Sequence, residues 1–145
     1  MRIMMPSKEE MEVYVATIGI MPKHNYLVVY RKMKDSAKAF FKHFTKSSSV
    51  VTGGIEKPYY LVITKKELIL QEMTKHHEII KILRNDLRDF IIRDGEENTK
   101  VIEFNYGDET FNFFAHKDST GRVQYVADNL EYLDQHHWLE EIEVI

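Results

Sequence analysis

Residues Tyr59–Met73, YYLVITKKELILQEM, constrain this chain more than any other stretch. Two apolar runs, Tyr59–Thr64 and Glu67–Met73, are separated only by Lys65-Lys66. Runs of that length joined by so short a link read as paired strands of a hairpin. Short apolar runs continue to Ala115, and one amphipathic segment follows from about Thr120 to Trp138. Strands first and a helix last predict an α+β chain whose strand layer is capped at the end.

The later strands are expected near Glu78–Leu83, Leu87–Arg93, Lys100–Asn105 and Thr110–His116. Ile102, Phe104 and Tyr106 alternate along one run, as Phe111, Phe113 and Ala115 do along the next, which is the period of a half-buried strand. Gly107-Asp108 supplies the tight turn between them, and Gly95 sits in the acidic loop Asp94–Asn98. With the strand character that begins at Val50-Val51, the number of short strands reaches about seven. Near-regular spacing of this kind predicts antiparallel meanders closed into a barrel or sandwich. Glu56-Lys57-Pro58 reads as a turn ahead of Tyr59. In the last helix Val123, Val126, Ala127, Leu130 and Leu133 form the apolar face, with Asp118, Ser119 or Thr120 as cap.

Residues 1–46 predict a helical hairpin. Ser7 and Glu10 have capping-box spacing, Met11, Tyr14, Val15 and Ile18 recur at helical intervals, and Gly19 suits the stop. A second helix is expected over Tyr26–Lys46. Tyr26, Tyr30, Met33, Ala37, Phe40, Phe41 and Phe44 fall in one stripe, with Arg31, Lys34, Lys38 and Lys42 on the far side. Val28-Val29 beside Tyr30 favours a strand instead at its start.

The 145 residues suit one compact domain, here divided into a helical segment 1–46 and a strand-rich body 47–145. Net charge is −3, but residues 1–46 hold 9 basic against 4 acidic residues, net +5, and the remainder 11 against 19, net −8. The absence of cysteine excludes disulfides and thiolate chemistry, and the charged N-terminus MRIMMPSKEE has no signal-like apolar run. A cytoplasmic location is the expectation.

Chemistry is sparse. His76-His77 and His136-His137 are adjacent pairs whose side chains diverge, so convergence on a metal needs both pairs, or one pair with His116. Carboxylates group at Asp86/Asp89, Asp94/Glu96/Glu97 and Glu140/Glu141/Glu143, in settings that read as solvated. Ser47–Ser49 lacks the context of a nucleophile, and Gly53-Gly54 lacks the helix and lysine of a phosphate cradle. The expectation is no catalytic residue, no cofactor and no metal. The acidic strand region, without cations flanking Tyr59-Tyr60 or Phe113-Phe114, argues against nucleic acid. The basic helix 26–46 can pack on the first helix, dock in a groove, or lie on an anionic membrane. Arg31, Lys34, Lys38, Lys42, Lys65 and Lys66 are the candidate membrane- or partner-contacting residues.

The segment LVITKKELIL, the later IIKILRNDLRDFIIRD and the Gly107-Asp108 hairpin followed by a helix resemble bacterial pleckstrin-homology-like domains, a group that includes GRAM domains. The matching positions are Leu61–Thr64, the basic turn Lys65-Lys66 and Glu67–Leu70, within about residues 40–138. The resemblance implies a seven-stranded, partly open barrel capped by the final helix. It also implies a non-catalytic binding or scaffolding module for a protein partner or a second copy of itself. Peripheral membrane association through helix 26–46 is the alternative, and a small enzyme or metal protein using the His/Glu clusters ranks below it.

Overall fold

A computed structural model of the protein describes residues 5–32, 56–74 and 78–140. Helix α1, Lys8–Thr17, begins with the expected capping box: the Ser7 side chain accepts from the Glu10 amide, and the Glu10 carboxylate accepts from the Ser7 amide. Ile18 ends it, and Gly19 follows at φ +87°, the left-handed turn that favours glycine.

The second helix of the expected hairpin does not begin at Tyr26, because Tyr26–Lys32 is strand β1. Tyr26–Val29 are all buried, so this stretch lies covered on both faces. A continuous apolar run rich in valine and tyrosine answers that environment better than a helix with one wet side. The remainder of the expected second helix, with Lys34, Lys38 and Lys42, lies outside the described residues, as do Val50-Val51, Ser47–Ser49 and Gly53-Gly54.

Strands β2 (Glu56–Ile63), β3 (Glu67–Glu72), β4 (Ile80–Leu83), β5 (Arg88–Asp94), β6 (Thr99–Tyr106) and β7 (Glu109–His116) complete the sheet. Glu56-Lys57-Pro58, expected as a turn, instead opens β2 opposite Lys32, Arg31 and Tyr30. The strand order is β4-β3-β2-β1-β7-β6-β5, antiparallel throughout, and the sheet curls into a half-barrel. Among the described residues the sheet has seven strands. The member that completes it, however, is β1, which lies mid-sheet between β2 and β7.

Register separates the two faces. Leu61 pairs with Leu70, Ile63 with Leu68, Ile102 with Phe113 and Phe104 with Phe111, which stacks apolar side chains on one face. Aromatic contacts tie that face together, with Tyr59 edge-on to Phe113 at 5.2 Å and Phe104 stacked on Phe111 at 5.0 Å. The opposite face of β1–β3 carries Tyr60, Val62, Ile69 and Gln71, and α1 covers it. Tyr14 stacks on Tyr60 at 4.2 Å and donates to Gln71 Oε1 at 2.8 Å, while Met11 and Val15 are fully buried.

After β7 a 3-10 turn, Gly121–Val123, leads into α2, Gln124–Gln135, and a second 3-10 turn follows at His137–Leu139. The sequence-predicted face is nearly right: Tyr125, Val126, Asn129, Leu130 and Leu133 are buried. None of the expected caps bonds to the helix start. Ser119 donates instead to the His116 carbonyl.

Candidate functional site

Strand β5 reads Arg88-Asp89-Phe90-Ile91-Ile92-Arg93-Asp94 and stands at one end of the sheet, paired with β6 alone among the described residues. An edge strand carries a row of backbone N–H and C=O groups that no neighbour satisfies, and proteins usually shorten or bury such edges. Here the edge is seven residues long. Phe90 and Ile92 are half-buried on the apolar face, where Ile92 pairs with Ile102 and Phe90 stacks on Phe104 at 6.3 Å. Ile91 points the other way and is 46% exposed. The register shifts between Arg88 and Ile91, where Asp89 adopts φ +54°, so a bulge marks the start of the strand.

Alongside β5 lies an open cavity of about 440 Å³ lined by Phe90, Ile92, Lys100, Asp134, Trp138 and Glu140, among others. Its floor is an ion network. The Lys100 side chain is 10% exposed, and its Nζ lies 2.8 Å from Asp94 Oδ1 and 2.9 Å from Asp134 Oδ2. Asp134 Oδ1 also accepts from Trp138 Nε1 at 2.8 Å, and Lys117 reaches Asp94 at 3.1 Å. Burial works against the Lys100 charge, but the bonds from Asp134 and Asp94 outweigh it and raise its pKa. The same lysines hold the Asp94 carboxyl below the usual range.

Arg84 closes one end of this groove. Its guanidinium lies 5.7 Å over the Phe90 ring and donates to the Trp138 carbonyl. Burial lowers its pKa, with Glu140 acting in the opposite sense. Positive φ at His137, Trp138 and Leu139 turns the chain sharply after α2, and Trp138 ends up 4% exposed. The cavity therefore sets Phe90, Ile92 and Trp138 beside a mostly polar lining that includes Arg93, Asp94, Lys100, Asp134 and Glu140.

A second cavity of about 290 Å³ lies between the starts of α1 and α2, lined by Ser7, Lys8, His24, Arg122, Tyr125 and Asn129 among others. Two of its polar side chains already have partners. Arg122 pairs with Glu10 and donates to the Met5 carbonyl, and His24 Nδ1 lies 3.0 Å from Asn129 Oδ1.

Of the sequence-predicted site residues, Arg31, Lys65 and Lys66 are described and lie apart, while Lys34, Lys38 and Lys42 lie outside the described residues. Arg31 lies within the sheet, 4.4 Å over the Phe111 ring, with Glu109 at 3.2 Å and the Tyr59 hydroxyl at 3.4 Å. Lys65 and Lys66 are exposed in the β2–β3 turn, where Thr64 Oγ1 accepts from the Lys66 and Glu67 amides. Arg31 pairs with Lys57 at the other end of β2. Of the histidines, His116 lies against Tyr30 and Phe114, and His136 stacks on Tyr132 at 4.0 Å. His76-His77 lie outside the described residues. No family model matches the sequence, and no curated protein is similar to it.

The reading from sequence missed β5 as a site. Its residues were visible as an apolar run between charges, but an edge is a property of strand order, and strand order is not written in any local pattern.

Proposed function

We propose that this protein is a non-catalytic binding domain of the pleckstrin-homology-like kind that receives a protein segment along the edge of β5 left unpaired among the described residues. The exposed edge of β5, beside a cavity lined in part by Phe90, Ile92 and Trp138, carries this reading. An extended segment added there gains main-chain hydrogen bonds from the edge, and its alternate side chains enter the cavity. Seven strands in a partly open barrel with a helix after the last strand support the pleckstrin-homology-like assignment at the level of architecture. The matched ion network supports binding over catalysis, since Lys100 and Lys117 together balance Asp94 and Asp134.

A photo-cross-linking residue placed at Ile91, with a control at Val13 on α1, tests this in the cells that make the protein. Val13 is 67% exposed and far from the edge in the fold, so it samples random encounters. Protein adducts are expected at Ile91 and not at Val13. Equal yields at both positions, or no adduct at Ile91, would refute the β5 edge as the binding surface.

A further inference from the structure

Strand β5 is its own electrostatic complement. We propose that two copies of this chain pair through β5, antiparallel, about a two-fold axis at Ile91. This inference rests on the reading of β5 as a binding edge and names the occupant of that edge.

The register follows from the residues. When two antiparallel copies of RDFIIRD are centred on Ile91, Ile91 faces the partner's Ile91 and Phe90 faces the partner's Ile92. Asp89 then faces the partner's Arg93, and the symmetry repeats each of these contacts. Directly opposed residues of an antiparallel ladder must share a sheet face. Phe90 and Ile92 do, through Phe104 and Ile102. Asp89 and Arg93 do as well. The Asp89 carboxylate accepts from Asn105 at 2.9 Å and Arg93 bonds Glu103 at 2.6 Å, and Asn105 and Glu103 are two apart on β6.

Neighbouring registers fail on the same residues. A slip of two in either direction that keeps the two-fold sets Ile91 against Asp89 or against Arg93, burying a charge opposite an apolar side chain. A slip of one violates the shared face. The bulge at Arg88–Asp89 excludes the outermost pair, since Arg88 pairs with Asn105 on the Ile91 face while Asp94 pairs with Lys100 on the other. The self-complementary ladder therefore runs from Asp89 to Arg93. A segment of unrelated sequence has no reason to present acid, aromatic, aliphatic, aliphatic and base in that order, whereas a second copy presents it without fail.

Charge exchange tests the pairing. Sedimentation equilibrium across concentration should give the wild type a mass rising from 17.2 kDa toward twice that value. Arg93→Asp sets acid against acid at both ends of the ladder, and Asp89→Arg sets base against base. Each single variant should weaken association on the order of tenfold or more. An equimolar mixture of D89R and R93D should recover a heterodimer, and the double variant D89R/R93D a homodimer, because opposite charges again face each other. Loss of folding in a single variant cannot produce that recovery, so the mixture separates pairing from misfolding. A wild type that stays at 17.2 kDa at all concentrations, or single variants that fail to combine, overturns the proposal. The Ile91 cross-linker separates it from the broader reading. Adducts of twice the chain mass support self-pairing, adducts only with another protein overturn self-pairing while leaving the edge a binding surface, and none at Ile91 overturns both.

Discussion

Tyrosine hydroxyls are the most strongly perturbed groups near the two helices. Burial pushes the Tyr14 hydroxyl up to about 12, with the neighbouring Tyr60 adding to it. Burial also raises Tyr60, Tyr125 and Tyr26, the last helped by its bond to Glu12. A group whose folded-state value lies above its unfolded value contributes stability that is whole below the unfolded value and is lost as pH rises through the folded one. For these hydroxyls the unfolded value is near 10, so stability should be insensitive to them below pH 10 and should fall as pH climbs from 10 toward 12 and beyond. Urea midpoints measured across that range, with tyrosinate absorbance followed in parallel, check it. Midpoints that hold steady through pH 12, or tyrosines that all titrate near 10, would show that the hydroxyls are not buried as described.

Among the elements, β1 shows where sequence pattern runs out and why. The strands from Tyr59 onward were legible because each alternates or forms a short apolar run bounded by Lys65-Lys66, Gly95 or Gly107-Asp108. In Tyr26–Lys32 the spacing of Tyr26 and Tyr30 fits one helical stripe, yet Val28 and Val29 between them fit a strand buried on both faces. Only the helices and strands on either side decide between these, and they come from residues up to a hundred positions away. The edge position of β5 was illegible for the same reason, since nothing within RDFIIRD states that β4 and β5 end the sheet. The position of β1 also explains a buried polar residue. Its register with β7 covers Tyr30 and Arg31, and farther back α2 takes the place of a strand. There Asn129, 1% exposed, donates from Nδ2 to the Tyr26 carbonyl at 2.9 Å and offers Oδ1 to His24. Asn129→Ala removes that donor and leaves a buried carbonyl unpaired, which should cost about 1–3 kcal/mol. Chemical denaturation measures it, and a loss well under 1 kcal/mol would mean that water replaces the amide at no cost.

For the molecule as a whole, α2 is what makes the two parts of the sheet one cooperative unit. Among the described residues, the backbone ladder between strands β1–β4 and strands β5–β7 is limited to Tyr30 opposite Phe114 and Arg31 opposite Phe113. Helix α2 spans that short junction, holding the Tyr26 carbonyl on one side through Asn129 and Lys100 of β6 on the other through Asp134. Leu130 and Leu133, 2% and 0% exposed, join the same apolar cluster as Leu27, Leu61 and Phe113. Leu133→Ala should therefore cost about 2–5 kcal/mol, the range for a truncated core leucine that leaves a cavity. The form of the loss follows from the architecture. Because α2 fills the curl of a single sheet, it has no docked state without the strands, and the strands lack a closed core without it. Trp138, the sole tryptophan, lies just beyond α2 against Asp134 and reports on that end of the molecule. Its fluorescence and the far-UV circular dichroism of the sheet should thus move together in urea, in the wild type and in Leu133→Ala alike, with the variant's shared midpoint lower. A tryptophan signal that changes at lower urea than the sheet would mean that the helix detaches by itself, and that the half-barrel is stable without its cap.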